Sequence, residues 1–267
     1  MTQDVAARKA QTRAQFNTLA PDYDMLGPRT FAHFGERLVE VAGVAAGQRV
    51  LDVAAGRGAV LFPAAERVGA TGAAVGIDLS DGMVAALNGE AERRGLAARA
   101  TVMDAETLDF PDASFDCVLC GFGVMFFPDL ARGLAEFHRV LRPGGRLGVS
   151  TWRVAQAGEL VQLLRELDMG NAVPPGWISD PEVLARAITA AGFRDVRVTD
   201  ESQSFVYADL DEYWRASRTT GARGALDALD AAQTERLRAA LAERLARFRR
   251  DDGLHVPANA LLAVAGR

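Results

Sequence analysis

The sequence predicts an α/β fold, a parallel sheet with crossover helices, on three observations. Between residues 49 and 151, short β-rich runs alternate with helix-sized segments, the pattern of parallel strands joined by helical crossovers. The first run ends in a glycine-bearing turn, Gly56-Arg57-Gly58, that opens the next helical segment. The chain has 267 residues, 49% of them apolar, enough to bury the core of one large α/β domain or of one domain with an added cap.

The elements follow in order. Phe31, Phe34, Leu38 and Val41 form one apolar stripe, so residues 30–43 are expected to be a helix packed on the sheet. Arg49–Val53, Ala73–Asp78, 99–103, 115–120 and 146–151 read as strands. Helices are expected from near Gly58, from Ser80 and from Asp129. Ser80 is a good N-cap, with Asp81 in the first turn to complement the helix dipole. The helix after Pro128 carries Leu130, Leu134, Phe137 and Leu141 on one face and stops at Arg142-Pro143-Gly144-Gly145.

Beyond residue 151 the pattern loosens. A helical stretch within 153–178 is marked by Leu160, Leu163, Leu164 and Leu167, and Val173-Pro174-Pro175-Gly176-Trp177 signals a loop. Ser179-Asp180-Pro181-Glu182 reads as a capping box with proline at the first helical position, opening a helix that ends at Gly192. A strand near 195–199 comes next. A helical region over 209–250 follows, with Leu237, Leu241, Leu245 and Phe248 on one face, and then a last strand at 260–265.

Composition narrows the chemistry. Thirty basic against thirty-five acidic side chains leave a formal charge of -5, so no bulk basic field draws the protein to nucleic acid or anionic lipid. Lys9 is the one lysine, in a polar N-terminal stretch, and no Gly-Lys-Ser/Thr of a phosphate loop occurs. Three histidines (His33, His138, His255) and two cysteines (Cys117, Cys120) supply few metal ligands and no disulfide framework. This poverty points to a reactive group borrowed from a cofactor. With no apolar leader and no membrane span, a soluble, cytoplasmic protein is expected.

The densest signal is Val50-Leu51-Asp52-Val53-Ala54-Ala55-Gly56-Arg57-Gly58. Such a strand–turn–helix lets a ligand approach the backbone at the carboxyl end of the first strand. A dinucleotide site calls for a third glycine where Leu61 stands, and Asp52 would repel a pyrophosphate. The same carboxylate suits an ammonium or a sulfonium, which favours S-adenosylmethionine. Asp78, ending the second strand, is placed for the ribose hydroxyls. Asp104, ending the third, is placed for the adenine amine, with the Ala105 backbone at the ring edge and Leu79 and Met83 over its faces.

These stretches, with Gly76-Ile77-Asp78-Leu79-Ser80 and Arg139-Val140-Leu141-Arg142-Pro143-Gly144-Gly145, resemble the class I S-adenosylmethionine-dependent methyltransferases. The branch they resemble is the small-molecule group that includes the ubiquinone and menaquinone biosynthesis methyltransferases. Phe16, Ala20, Tyr23 and Asp24 look like that branch's N-terminal pattern, and the likeness covers roughly residues 13–151. The resemblance implies a Rossmann-like, doubly wound sheet of seven strands, mostly parallel, plus helical cap segments. Its last strand, 260–265, would run antiparallel between the fifth and sixth.

The domain expectation is an N-terminal helical segment, 1–45, forming part of a substrate lid, and a methyltransferase domain over 46–267. Cap insertions are expected near 153–178 and 205–255. By the same resemblance Asp52, Ala54, Gly56 and Gly58 hold the methionine end, Asp78 the ribose, and Asp104 with Ala105 the adenine. Cys120 and Phe122 would lie beside the sulfonium. Arg57 departs from the family's frequent residue and is open to three roles: substrate contact, cofactor carboxylate, or solvent.

The expected reaction is in-line displacement of the methyl group by an oxygen, nitrogen or carbon of a small, apolar or aromatic metabolite. Positioning and water exclusion would dominate, with a base needed only where the nucleophile carries a proton. The loop Cys120-Gly121-Phe122-Gly123 lacks the Pro-Pro-aromatic turn of nucleic-acid amino-methyltransferases and the metal-binding acid of catechol-type enzymes. Arsenic-type enzymes would need further thiols.

Tyr23 and His33 are the candidate catalytic residues. His138 and His255 read as packing or loop residues and Cys117 as sheet packing. Trp152, Trp177 and Trp214 read as apolar cap walls, and 247–250 as a solvated helix end. The partner implied is a small-molecule acceptor, no metal is called for, and a homodimer stays open. The alternative is a non-methylating cyclase or isomerase that binds the same cofactor on the same scaffold.

Overall fold

Strands of the central sheet send alternate side chains to opposite faces, and helices cover both. The computed structural model describes residues 5–153, 158–169 and 178–267. Five strands run parallel in the order β3-β2-β1-β4-β5: β1 (Arg49–Val53), β2 (Ala73–Asp78), β3 (Ala98–Val102), β4 (Phe115–Gly121) and β5 (Leu141–Trp152). β6 (Arg194–Tyr207) forms the far edge, and β8 (Gly253–Gly266) inserts antiparallel between β5 and β6. The short β7 (Arg249–Arg250) pairs onto β8. The expected doubly wound sheet with its antiparallel last strand is the one that forms.

β4 shows how the core divides. Cys117 and Leu119 pack with Phe34 and Leu38 of α2 (Thr30–Val41), Leu61 and Ala64 of α3 (Leu61–Val68), and Leu87 of α4 (Asp81–Arg94). Val118 and Cys120 enter the opposite layer, with Leu134 and Phe137 of α5 (Leu130–Val140) and Leu184 and Ile188 of α7 (Pro181–Ala190). The two cysteines therefore point away from each other, as the strand spacing requires, and both are free and buried.

β6 and β8 run on past the sheet as a hairpin, with Phe205, Val206 and Tyr207 pairing to Val256, His255 and Leu254. A cap sits on it. α6 (Glu159–Glu166), α8 (Leu210–Ser217), α9 (Arg223–Asp227) and α10 (Ala231–Leu245) gather Leu160, Leu164, Trp214, Leu226, Leu237 and Leu241 against Leu254 and Val256. α1 (Val5–Leu19) is built differently. It buries only Leu19, and polar bonds hold it to α4: Arg13 to Asp81 at 2.9 Å, and Asn17 Oδ1 accepting from Ser80 Oγ at 2.5 Å and from the Gly82 N–H at 3.1 Å.

Several boundaries differ from expectation for local reasons. α3 starts at Leu61, because Gly56 and Gly58 hold positive φ values of 53° and 91° and belong to the turn. α7 is capped by Asp180, which accepts from the Glu182 and Val183 N–H groups, and not by Ser179. The region 209–250 divides into three helices. Arg249 and Arg250 leave the last of these to form β7, and Arg247 bonds to Glu159 at 2.5 Å. β6 and β8 reach 14 residues each, since their mutual ladder continues under the cap. Val173 to Trp177 lie outside the described residues. No described helix is long and apolar enough to cross a membrane.

Gly35 of α2 lies against the turn after β1, where an added Cβ would stand 2.1 Å from the Ala59 carbonyl oxygen. Gly35→Ala is expected to lower stability by about 1–3 kcal/mol through overpacking. On α4 the nearest atom to a Cβ at Gly89 is the tip of Arg93 at 3.6 Å, so Gly89→Ala is expected to add roughly 0.5–1 kcal/mol. Urea denaturation followed by circular dichroism checks both signs.

Candidate active site

The carboxyl ends of β3, β2, β1 and β4 lie side by side, and their register brings three acids to one cleft. Asp52 of β1 pairs across to Gly76 of β2 and to Leu119 of β4, so Asp78 and the loop after β4 flank it. Ala54, Gly56 and Gly58 turn the chain with positive φ, at 56°, 53° and 91°. Left-handed backbone at a non-glycine residue such as Ala54 is strained and clusters at functional sites. The loop after β4 closes tightly on this turn: an added Cβ on Gly123 would lie 2.6 Å from Ala54 Cβ.

Asp52 is 1% exposed, and its carboxyl has no charged or side-chain partner among the described residues; the backbone N–H of Leu61, at the start of α3, is the group that faces it. Burial, reinforced by the Asp78 charge, pushes its carboxyl well above the usual carboxylate range. A buried anion without a counter-charge facing a cleft is a place for a cation, and an ammonium or a sulfonium fits it. Asp78 is held instead: its oxygens accept from the Gly56 and Ser80 N–H groups, both at 2.8 Å. Burial still outweighs these bonds and raises its pKa.

The cleft is lined by Asp52, Ala54, Gly56, Gly58, Asp78, Leu79, Met83, Asp104 and Ala105, so nine residues singled out from the sequence meet in one place. Cys120 does not line it. Its side chain is fully buried behind Gly123, whose added Cβ would meet the sulfur at 2.8 Å, and burial raises its thiol pKa. The side chain that lines the cleft there is its neighbour-but-one, Phe122.

Asp104 is not free. Lys9, reaching across from α1, donates to Asp104 Oδ2 at 2.7 Å and sits 2.5 Å from Glu106 Oε2. Burial lowers the Lys9 pKa, but these bonds prevail and hold it above the usual value. The one lysine, which the sequence left as a polar terminal residue, thus roofs the Asp104 end of the cleft. Arg57 donates to the carbonyls of Ala20 and Pro21. It clamps the chain after α1 while it lines the cleft itself.

A second cavity of about 570 Å³ adjoins the first, lined by Trp152, Leu160, Val161, Tyr207 and Tyr213 among others. Six residues line both: Thr12, Tyr23, Asp24, Phe31, Phe122 and Phe126. Rings dominate this throat. Tyr23 stacks on Phe31 at 5.2 Å, Phe31 meets Phe122 edge-on at 5.3 Å, and Phe122 lies 4.2 Å from Trp152.

The two catalytic candidates fare differently. Tyr23 stands in the throat, but burial and the charges of Asp24 and Asp78 raise its pKa, so the phenol keeps its proton and is a donor rather than a base. His33 lines neither cavity. Two residues beyond Phe31 on α2, it points to the other side of the helix and packs edge-on against Phe34 at 5.2 Å and Phe205 at 5.6 Å.

Residues 50–145 match the methyltransferase domain family. The chain belongs to the class I S-adenosylmethionine-dependent methyltransferases, enzymes that move the methyl group of S-adenosylmethionine, here to a small metabolite. It is 43% identical over 150 residues to aklanonic acid methyltransferase DauC of Streptomyces sp. strain C5, covering 56% of this chain and 68% of that protein. It is 37% identical over 206 residues to nocamycin O-methyltransferase of Saccharothrix syringae, covering 70% and 73%. Among solved structures, YcgJ of Bacillus subtilis shares the fold with a TM-score of 0.62 at 20% identity, over 88% of this chain and 98% of that one. The non-methylating alternative is not favoured, since these curated relatives are methyltransferases.

Replacing Asp52 separates its two effects. An aspartate whose folded pKa is raised lowers stability at neutral pH and not below the ordinary carboxylate pKa. Asp52→Asn is therefore expected to stabilise the ligand-free protein by about 1–3 kcal/mol near neutrality. That gain should vanish as pH falls through about 4. Cofactor affinity should drop roughly ten- to a hundredfold with the lost charge-assisted bond. Thermal denaturation at both pH values and titration calorimetry with S-adenosylhomocysteine check the three signs.

Proposed function

We propose that the enzyme O-methylates a hydroxyl group on a planar aromatic or polycyclic small molecule bound in the second cavity. The observation that carries this reading is the aromatic throat joining that cavity to the cleft. Flat rings pack well between such side chains. The charged residues lining the second cavity are Arg8 and Asp24 among the described residues, so it is not the basic groove a nucleic acid needs. The relatives' names, an O-methyltransferase among them, lend the oxygen acceptor support.

In this reading Asp52 with the Ala54–Gly58 turn holds the methionine end of the cofactor, Asp78 the ribose, and Ala105 with Leu79 and Met83 the adenine. Asp104 takes part once Lys9 shares it. When bound, S-adenosylmethionine supplies a methyl group already activated by its sulfonium. The chain's own residues then position and dry the site. Phe31, Phe122 and Phe126 exclude water, Tyr23 offers a hydroxyl donor to the acceptor's oxygens, and α1 with the loop to α2 acts as the lid. Holding reactants in attack geometry accounts for roughly 7–11 kcal/mol of such a barrier.

Incubation with methyl-labelled cofactor and a panel of hydroxylated naphthoquinones and anthraquinones is expected to yield labelled methyl ethers. Val161→Trp, which fills the second cavity from α6, is expected to lower kcat/KM for these acceptors at least about tenfold, while the dissociation constant for S-adenosylhomocysteine stays within about twofold. Label found only on nitrogen or carbon acceptors, or an unaffected Val161→Trp enzyme, would overturn the reading.

A further inference from the structure

We propose that Asp24 is the catalytic residue that accepts the acceptor's hydroxyl proton. This rests on the oxygen-acceptor reading above and goes beyond it by naming the base. The throat between the two cavities is where an acceptor in one chamber meets a methyl donor in the other. Of the six residues lining both chambers, four are aromatic, one is Thr12, and Asp24 is the carboxylate. Tyr23 keeps its own proton and His33 lies off the site, so neither competes for the role.

Asp24 stands where the throat meets the start of α2, lining both cavities. Asp24 adopts a left-handed φ of 53° and donates its N–H to the Thr219 carbonyl at 3.3 Å, in the loop after α8. Its side chain is 12% exposed. It faces the first-turn N–H groups of Thr30, Phe31 and Ala32 of α2, and Arg29 Nε stands 3.9 Å away. Tyr23 beside it and Tyr207 of β6 are the other titratable groups that face it, and both are held protonated. Burial raises the carboxyl against the pull of Arg29 and the three amides, to about 6. A base of that strength is ionised at neutral pH and still takes a proton in a transition state.

The step balances without a further reactant. As the acceptor oxygen forms its bond to the methyl carbon, its O–H bond breaks and the proton passes to an Asp24 oxygen. The electron pair of the sulfur–methyl bond stays on sulfur, and Asp24 returns the proton to solvent once product leaves.

A structural reading competes, since Asp24 also satisfies the start of α2. Asp24→Asn and Asp24→Ser both keep an acceptor for those N–H groups and remove the base. With full-length protein, the base assignment predicts a loss of about 10²–10⁴-fold in kcat/KM toward hydroxyanthraquinones for both variants. It also predicts loss of the acidic limb that the wild type shows near pH 6. The melting temperature and S-adenosylhomocysteine affinity should stay close to wild type.

A binding readout is independent of turnover. Affinity of a hydroxyanthraquinone for the S-adenosylhomocysteine complex should fall about tenfold or more as pH drops below 6 in the wild type, as a charge-assisted bond is lost. In Asp24→Asn it should stay flat. Retention of activity or of the pH 6 limb in the variants overturns the assignment, and so does a parallel loss of cofactor affinity or melting temperature. If no hydroxylated aromatic binds the wild type at all, the acceptor reading itself is overturned, and the base assignment falls with it.

Discussion

Asp52, next to last in β1, is an acid buried to 1% exposure with no charged or side-chain partner among the described residues. Burial and the Asp78 charge disfavour its ionised form, so its charge is favoured only when a cation lies against it, and the neighbourhood is arranged around that position. Parallel register carries Asp78 beside it and the loop after β4 in front of it. Small residues keep the space open: Ala54 and Gly56 turn away in left-handed conformation, and Gly123 lets the loop close on Ala54 without a side chain between.

Electrostatics on the two sides of Asp52 are handled in opposite ways. Toward the end of β3, Lys9 from α1 bridges Asp104 and Glu106, so one of the two acidic charges there is offset by a helix that has almost no apolar anchor of its own. Toward the second cavity, Asp24 is partly matched by Arg29 and by the amides at the start of α2, and shares the throat with four aromatic rings. α1 and the segment after it therefore reach from the acids after β3 to the second cavity. Arg57 ties that segment back to the glycine turn through the carbonyls of Ala20 and Pro21.

Much of this was legible in the residues. Strand–helix alternation gave the parallel block, and Asp52, Asp78 and Asp104, at or near the carboxyl ends of three neighbouring parallel strands, were expected to share a cleft and do line one. The misses share a cause. His33 was placed by its helix and Cys120 by the resemblance, but on α2 a step of two residues from Phe31 turns a side chain to the far side, and the chain leaves β4 through a left-handed φ of 57° at Phe122, so that Phe122 lines the cleft and Cys120 stays in the core. Lys9 was overlooked because its partners lie 95 residues away, and no local pattern reports a bond of that span. Asp24 was visible only as part of a resemblance.

The amino-acid sequence by itself determined the class of fold, the order of the parallel strands' acids and the cationic character of the ligand they await, since each depends on local periodicity or on a single residue at a strand end. Tertiary structure alone decided which side chains share a cavity. The β6–β8 hairpin had to extend under a cap, and α1 had to be drawn across the cleft by ion pairs, before Tyr23, Asp24 and Phe31 could meet Phe122 and Trp152 in one throat. Those contacts are long-range and are made by packing and charge between elements distant in the chain, so the acceptor side of the site exists only once the whole chain has folded.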